Sequence, residues 1–266
     1  MPFVRPNDIT MHYDFAGPHD APIVLLDNSL ASNVHMWDEQ INALARGHRV
    51  LRYDMRGHGL TDATPGEERP AATIAQLADD ALALMDALGV NRVSLVGLSI
   101  GGMVGQRVAA RYPERVDALV LCATGNRLGT IPIWDERLAT VEREGLDAIV
   151  DSTIGRWFTE QTHAERPELI RGFANMVRRT PKAGYLACGR AVRDADLRAD
   201  DALIRVRTLV VAGAHDAGAS PATGAELRDA ITGAELQVMQ GAAHILNAEQ
   251  PIAFNELLLR FLEAGR

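Results

Sequence analysis

The chain has 266 residues, a length that suits one α/β domain carrying an insertion, and its 47% hydrophobic content can fill a sizeable core. Twenty-seven basic against 35 acidic residues leave a formal net charge of -8, which argues against nucleic acid or an anionic membrane as the main partner, since both need basic patches. Two cysteines, Cys122 and Cys188, are too few for a disulfide framework or a metal-thiolate cluster and read as buried core thiols.

Residues 3–15 read as a weak hairpin around the turn Pro6-Asn7-Asp8. Pro22-Ile-Val-Leu-Leu26 is a short continuous apolar run of the kind buried on both faces of a parallel sheet. A polar loop, Asp27 to Ser32, leads into a short helix from Met36 to Ala45, then a strand from Arg49 to Tyr53 and a charged, glycine-rich loop, Asp54 to Gly59. The next helix has clear limits. Thr73-x-x-Gln76 is a capping box, Ile74, Leu77, Ala81, Met85 and Leu88 form one stripe, and Gly89 stands where a C-terminal cap belongs. Val93 to Val96 is a strand, and the helix after it runs toward Tyr112 and stops at Pro113. Val116 to Cys122 is another buried strand. From about Ile131 to Asp196 strand-like alternation is absent, and Trp134, Leu138 and Val141 begin a series of helical stripes. The α/β pattern returns with the strand Thr208 to Ala212, a helix opened by Ser220-Pro221, the strand Leu236 to Met239 and a final amphipathic helix through Phe254, Leu258 and Phe261.

Alternating strands and helices predict a mostly parallel sheet with helices on both faces, and the strand-free stretch predicts a helical cap insertion. The expected division is 1–125 and 200–266 for the α/β core and 126–199 for the cap. The longest uncharged run, Val93 to Gln106, is too short and too glycine-rich for a membrane span of about 18 residues or more, and the first residues carry no apolar secretory run. A soluble, cytoplasmic protein is therefore expected.

The chemistry centres on Gly97-Leu-Ser-Ile-Gly101, between a strand and a helix. A Gly-x-Ser-x-Gly turn in that context is the nucleophile elbow of α/β-hydrolases: the serine sits on a sharp turn, and small residues on either side relieve the crowding. Two other glycine-rich readings fail. A phosphate-binding loop needs Lys-Ser/Thr after its last glycine, where Met103-Val104 follow Gly102, and the dinucleotide pattern Gly-x-Gly-x-x-Gly is not matched. A serine at the elbow also argues against relatives whose chemistry uses an aspartate there. An elbow serine needs a base and an acid in the chain order Ser, Asp/Glu, His. Asp216 follows the strand Thr208 to Ala212, and His244 follows the strand that ends at Met239. Ser99, Asp216 and His244 are accordingly the expected triad. The backbone N–H of Ile100 and of Leu30, in the loop after Leu26, are the expected oxyanion donors. Of the other histidines, His58 reads as a loop brace and His35 as a neighbour of the site, while His12, His19, His48 and His163 read as surface residues. Asp54 reads as bracing its loop with Arg56. No metal-ligand cluster or cofactor motif is seen, so none is expected.

Asn28-Ser-Leu30, Met36-Trp37, Tyr53-Asp-x-Arg-Gly-His-Gly59, Gly97-Leu-Ser-Ile-Gly-Gly-Met-Val-Gly-Gln106, Pro113-Glu-Arg-Val116, Ala212-Gly-x-His-Asp216 and Ala242-Ala-His-x-x-Asn-x-Glu-Gln-Pro251 together resemble 3-oxoadipate enol-lactonases of the β-ketoadipate pathway. The resemblance runs nearly end to end. It implies hydrolysis of a small enol-lactone bearing a carboxylate, with water as the second reactant. It also implies a cation near the cap, for which Arg127 is the counterpart, with Trp134 as a wall of the pocket. A solvated loop arginine and a cap-core tryptophan are the competing readings of those two residues. The sequence departs from the family at Ala31, where a glycine is usual, at Asp27 beside the same loop, and at Ile245-Leu246 after the histidine. A related esterase or lactonase with another small substrate, and a non-catalytic ligand-binding member of the fold, are the alternatives. A homo-oligomer also stays open.

Overall fold

The computed structural model describes residues 2–63 and 72–264. Among these, eight strands form one sheet in the order β1-β2-β4-β3-β5-β6-β7-β8. β1 (Phe3–Val4) and β2 (Met11–Ala16) form the expected N-terminal hairpin, and β2 pairs antiparallel with β4 (Arg49–Tyr53). From β4 onward every pairing is parallel, through β3 (Ile23–Asp27), β5 (Val93–Leu98), β6 (Val116–Cys122), β7 (Arg207–Gly213) and β8 (Glu235–Met239). The central strands are apolar along their length because both faces are covered: Val93, Leu95, Val96, Leu98, Leu119 and Leu121 are fully buried.

The helix Ile74–Ala87 starts as expected. Thr73 is extended, and its side chain accepts from Gln76 N–H at 3.1 Å. Gly89, just past the helix, has φ +66°, the left-handed cap conformation. Ser220 caps the helix Pro221–Ala230 in the same way, through Thr223 N–H at 3.3 Å.

Between β6 and β7 the chain is helical: Ile131–Glu144, Val150–Trp157, Glu160–Glu165, Pro167–Arg179, Lys182–Asp194 and Arg198–Asp201. This layer carries its own apolar interior, in which Phe173 meets Trp157 and Phe158 edge-on at 6.2 and 5.0 Å. Several ties join it to the sheet and its flanking helices. Gly57, in the loop after β4, packs backbone to backbone on Gly184 of the helix Lys182–Asp194. Asp200 pairs with Arg107 and Arg111 of the helix Ile100–Arg111, at 2.8 and 2.6 Å.

Several polar side chains differ from expectation. His12 and His48 are buried rather than on the surface. Asp54 braces its loop through His12, at 2.8 Å, and through Val34 and Leu60 N–H, while Arg56 pairs with Asp80 instead. The hairpin folds back over the loop, so His12 becomes an interior partner, which local polarity does not reveal.

Candidate active site

Ser99 sits between β5 and the helix Ile100–Arg111 with φ +59° and ψ -117°. Such a backbone costs a non-glycine residue about 1–3 kcal/mol, and the surroundings must hold it there. They do so from both sides. Ser99 N–H donates to Cys122 carbonyl on β6 at 2.9 Å, and Ser99 carbonyl accepts from Thr124 Oγ1 at 2.7 Å. The turn closes only with glycines. A Cβ on Gly97 would lie 2.2 Å from Gly101 carbonyl oxygen, and one on Gly101 would lie 2.6 Å from Asp27 carbonyl oxygen.

The acid and the histidine come from the ends of the next strands. Asp216 lies beyond β7 and His244 beyond β8, and His244 Nδ1 is 2.7 Å from Asp216 Oδ2. The other carboxylate oxygen accepts from Gly218 and Ala219 N–H at 2.8 and 3.0 Å. Burial alone would push the Asp216 carboxyl up. The His244 charge, its hydrogen bond and the two backbone N–H groups outweigh burial and hold it below its ordinary value. Asp216 is therefore a carboxylate, and the ring nitrogen facing it carries a proton. Ser99, Asp216 and His244 line one cavity of about 300 Å³. Among the described residues no hydrogen bond joins the Ser99 hydroxyl to His244. Such bonds are commonly long before substrate closes them.

The loop after β3 faces the elbow. Gly101 N–H donates to Asn28 carbonyl at 3.2 Å, which fixes the spacing between this loop and the helix start. Asn28 is itself held by Tyr53 carbonyl, at 2.6 Å, and by Trp37 Nε1, at 3.0 Å. Leu30 lines the cavity, and its N–H has no acceptor among the described residues. Ile100 opens its helix, where a first-turn N–H has no carbonyl of its own helix to meet. Ala31 takes φ +63°, the left-handed conformation a glycine would adopt more easily, and its N–H donates to His58 Nε2 at 3.1 Å. His58 is the brace expected of it. Burial pushes it down to about 4, so it is neutral, with Nδ1 facing Arg56 carbonyl at 3.1 Å. Asp27 does not line the cavity. It is fully buried, accepts from Tyr53 hydroxyl at 2.8 Å, and is raised to about 7, mainly by burial. His35 does not approach the site; it is exposed and paired with Asp38.

The cap supplies the roof. Trp134 lines the cavity, with its indole N–H bonded to Leu128 carbonyl at 2.7 Å. Arg127 does not line it. It is 51% exposed, and its nearest carboxylate is Asp196 at 3.9 Å. The cavity cations are Arg137 and Arg156, neither of which belongs to a motif in the sequence. Among the described residues Arg137 hydrogen-bonds to two hydroxyls, Tyr185 and Thr153, each at 2.6 Å. Arg156, though partly exposed, is held below its ordinary value by loss of solvation and then by the neighbouring Arg137 charge, and stays a cation at neutral pH. Among the described residues neither arginine forms an ion pair with a carboxylate. A weaker signal is present for Arg137: it is three residues after Trp134 and four before Val141, a cation on an apolar helical stripe.

Among the described residues no cluster of His, Cys, Asp or Glu could hold a metal ion, and no helix is long and apolar enough to cross a membrane.

Comparison with known proteins agrees with this fold. The family model of the alpha/beta hydrolase fold matches residues 22–251. The chain is 34% identical to 3-oxoadipate enol-lactonase 2 of Acinetobacter baylyi, over 93% of this chain and 91% of that one. The crystal structure of the enol-lactonase from Burkholderia xenovorans superposes with a TM-score of 0.95 at 38% identity, covering 98% of this chain and 99% of the other. A putative carbamate hydrolase RutD of Rhizobium rhizogenes is 30% identical over 96% of this chain and 98% of its own.

Proposed function

Because this chain belongs to the α/β-hydrolase fold family, among its enol-lactonase-like members, we propose that it is a serine hydrolase opening a small carboxylate-bearing enol-lactone, 3-oxoadipate enol-lactone, to give 3-oxoadipate. In this reading it serves the β-ketoadipate route of aromatic-compound catabolism in the cytoplasm. The helices between β6 and β7, residues 126–199, act as the cap over a core of 1–125 and 200–266.

The geometry supports the following roles. His244 takes the Ser99 proton on Nε2 as Ser99 Oγ attacks the lactone carbonyl. Asp216 holds the proton on Nδ1 and stabilises the imidazolium. The oxyanion that forms meets Leu30 and Ile100 N–H, and the positive end of the helix Ile100–Arg111 favours it. Collapse expels the enol oxygen, which takes its proton from His244 and tautomerises to the ketone. The expelled group stays attached, because a lactone carries its leaving group in the same molecule. Water, activated by His244, then releases the acid from Ser99.

One observation carries the choice of substrate. In a chain of net charge -8, the cavity that holds Ser99 also holds Arg137 and Arg156, neither forming an ion pair with a carboxylate among the described residues. Two cations facing one cavity repel each other, and a bound carboxylate relieves that cost. The test compares kcat/KM for the enol-lactone with that for a neutral short-chain aryl ester, in wild type, Arg137→Ala and Arg156→Ala. Loss of a buried charge partner costs about 2–5 kcal/mol. We therefore expect kcat/KM for the lactone to fall by about 10²-fold or more in Arg137→Ala, with the neutral ester changed far less. Equal losses on both substrates, or an inert lactone beside rapid ester turnover, would refute the assignment. The likeness to a putative carbamate hydrolase supports a second reading, a small carbamate attacked by the same Ser99. Such a compound belongs in the same assay.

A further inference from the structure

The histidine loop is fastened to the cap as well as to the sheet. Glu249 is 5% exposed, six residues after Ala243. Its Oε1 accepts three hydrogen bonds from the start of the helix Glu160–Glu165: Thr159 N–H at 2.7 Å, Thr159 hydroxyl at 2.9 Å and Thr162 hydroxyl at 2.7 Å. Its Oε2 accepts from Ala243 N–H, the residue directly before His244. A second tie runs beside it. The carbonyl of Trp157, the last residue of the helix Val150–Trp157, accepts from both His244 and Ile245 N–H, each at 3.1 Å. Arg166 adds a third, to Ala248 carbonyl at 2.6 Å. From the core side, His215 N–H donates to Ala242 carbonyl at 2.9 Å, Asn247 Nδ2 donates to Met36 carbonyl at 2.7 Å, and His244 Nδ1 faces Asp216 at 2.7 Å. The backbone N–H of His244 is thus held from the cap, by the carbonyl of the residue that follows Arg156.

The donor set needs a carboxylate. Four donors converge on two oxygens, three on one and one on the other. A glutamine has one acceptor oxygen and one NH2. Turned either way, it opposes donor to donor, at Ala243 N–H or at Thr159 N–H, even though the two threonine hydroxyls can turn to accept. Glu249 can therefore hold both sides at once where its closest isostere holds one.

We propose that Glu249 is a positioning residue for His244, and that through Glu249 and the Trp157 carbonyl the cap sets the direction of the imidazole as it takes up the substrate. This rests on His244 being the base. Its consequence is that cap contacts act on kcat rather than only on KM, since a misdirected base spoils the transition state more than it weakens binding.

The experiment measures kcat, KM and the pH profile of kcat for wild type, Glu249→Gln, Thr162→Val and His244→Ala. Active-site titration corrects for folded enzyme, and the downfield proton resonance of the Asp216–His244 hydrogen bond is recorded alongside. A displacement of about 1 Å in catalytic geometry costs on the order of 10²-fold. Glu249→Gln is expected to lower kcat by about 10- to 100-fold with KM nearly constant, and to shift or broaden the resonance. Thr162→Val, which removes one of the four donors at little change of shape, is expected to give a smaller loss in the same direction; it carries the test if the glutamine variant does not fold. A lowered melting temperature with kcat per active site and the resonance unchanged would overturn the proposal, because Glu249 would then be only a staple. Full activity in His244→Ala would instead overturn the reading of His244 as base, whatever the Glu249 variants do.

Discussion

Replacing Asp216 by asparagine tests the acid–histidine pair in a way the geometry makes unusually specific. An asparagine has one acceptor oxygen where Asp216 uses two: Oδ1 accepts from Gly218 and Ala219 N–H, and Oδ2 faces His244 Nδ1. If the amide turned its oxygen toward His244, its NH2 would oppose two backbone donors. Leaving a buried donor unsatisfied costs about 1–3 kcal/mol, so this orientation is disfavoured by roughly 2–6 kcal/mol. The oxygen therefore stays with Gly218 and Ala219, and the NH2 points at Nδ1. The imidazole then carries its proton on Nε2 and cannot accept one from Ser99. Recovering the productive tautomer costs the same 2–6 kcal/mol, which is a loss in kcat of roughly 30-fold to 10⁴-fold. The assay is kcat and KM on the lactone or an aryl ester, with circular dichroism to establish folding. KM should change little, since Asp216 acts through His244. A folded Asp216→Asn enzyme within about threefold of wild-type kcat would mean that Asp216 does not set the His244 tautomer.

Other outcomes follow from buried groups of the same region. Asp27 is raised to about 7, above its unfolded value of 3.8, so its contribution to stability is full below 3.8 and is lost as pH rises toward 7. Thermal melts should show Asp27→Asn gaining on wild type between pH 5 and pH 8; a constant difference would contradict this. Asp216 has the opposite sign: held below 3.8, it contributes above that value, and the contribution is lost as pH falls through its lower folded value, so acid melts of Asp216→Asn should be flatter than those of wild type. Ala31→Gly removes a side chain from a backbone with φ +63° and should raise stability by about 0.5–1 kcal/mol, read as a higher urea midpoint. Gly184→Ala should do the reverse. Its Cβ would lie 1.9 Å from Gly57 carbonyl oxygen, backbone against backbone, and overpacking of that kind costs about 3 kcal/mol.

Much of the fold could be read from the chain because its signals are local. Apolar runs mark the central strands, and Thr73, Gly89 and Ser220 mark helix ends by chemistry that acts over three or four residues. Ser99, Asp216 and His244 stand out because each follows a strand, and strand ends in such a sheet gather at one edge. The cap resists the same treatment. Arg127 lies beside β6 in sequence yet turns to Asp196 and solvent, whereas Arg137 and Arg156 enter the cavity from the helices Ile131–Glu144 and Val150–Trp157, whose direction is set by packing alone. Glu249 is hidden in the sequence for a related reason: three of its four donors are about 90 residues earlier in the chain.

The proposed function turns on attack of Ser99 on a lactone carbonyl. Mass spectrometry of enzyme quenched during turnover of 3-oxoadipate enol-lactone tests it most directly. Because ring opening leaves the expelled oxygen attached, a transient adduct equal in mass to the whole lactone is expected on the peptide carrying Ser99, with neither adduct nor turnover in Ser99→Ala. Lactone turnover by Ser99→Ala at the wild-type rate, or an adduct on another residue, would contradict it.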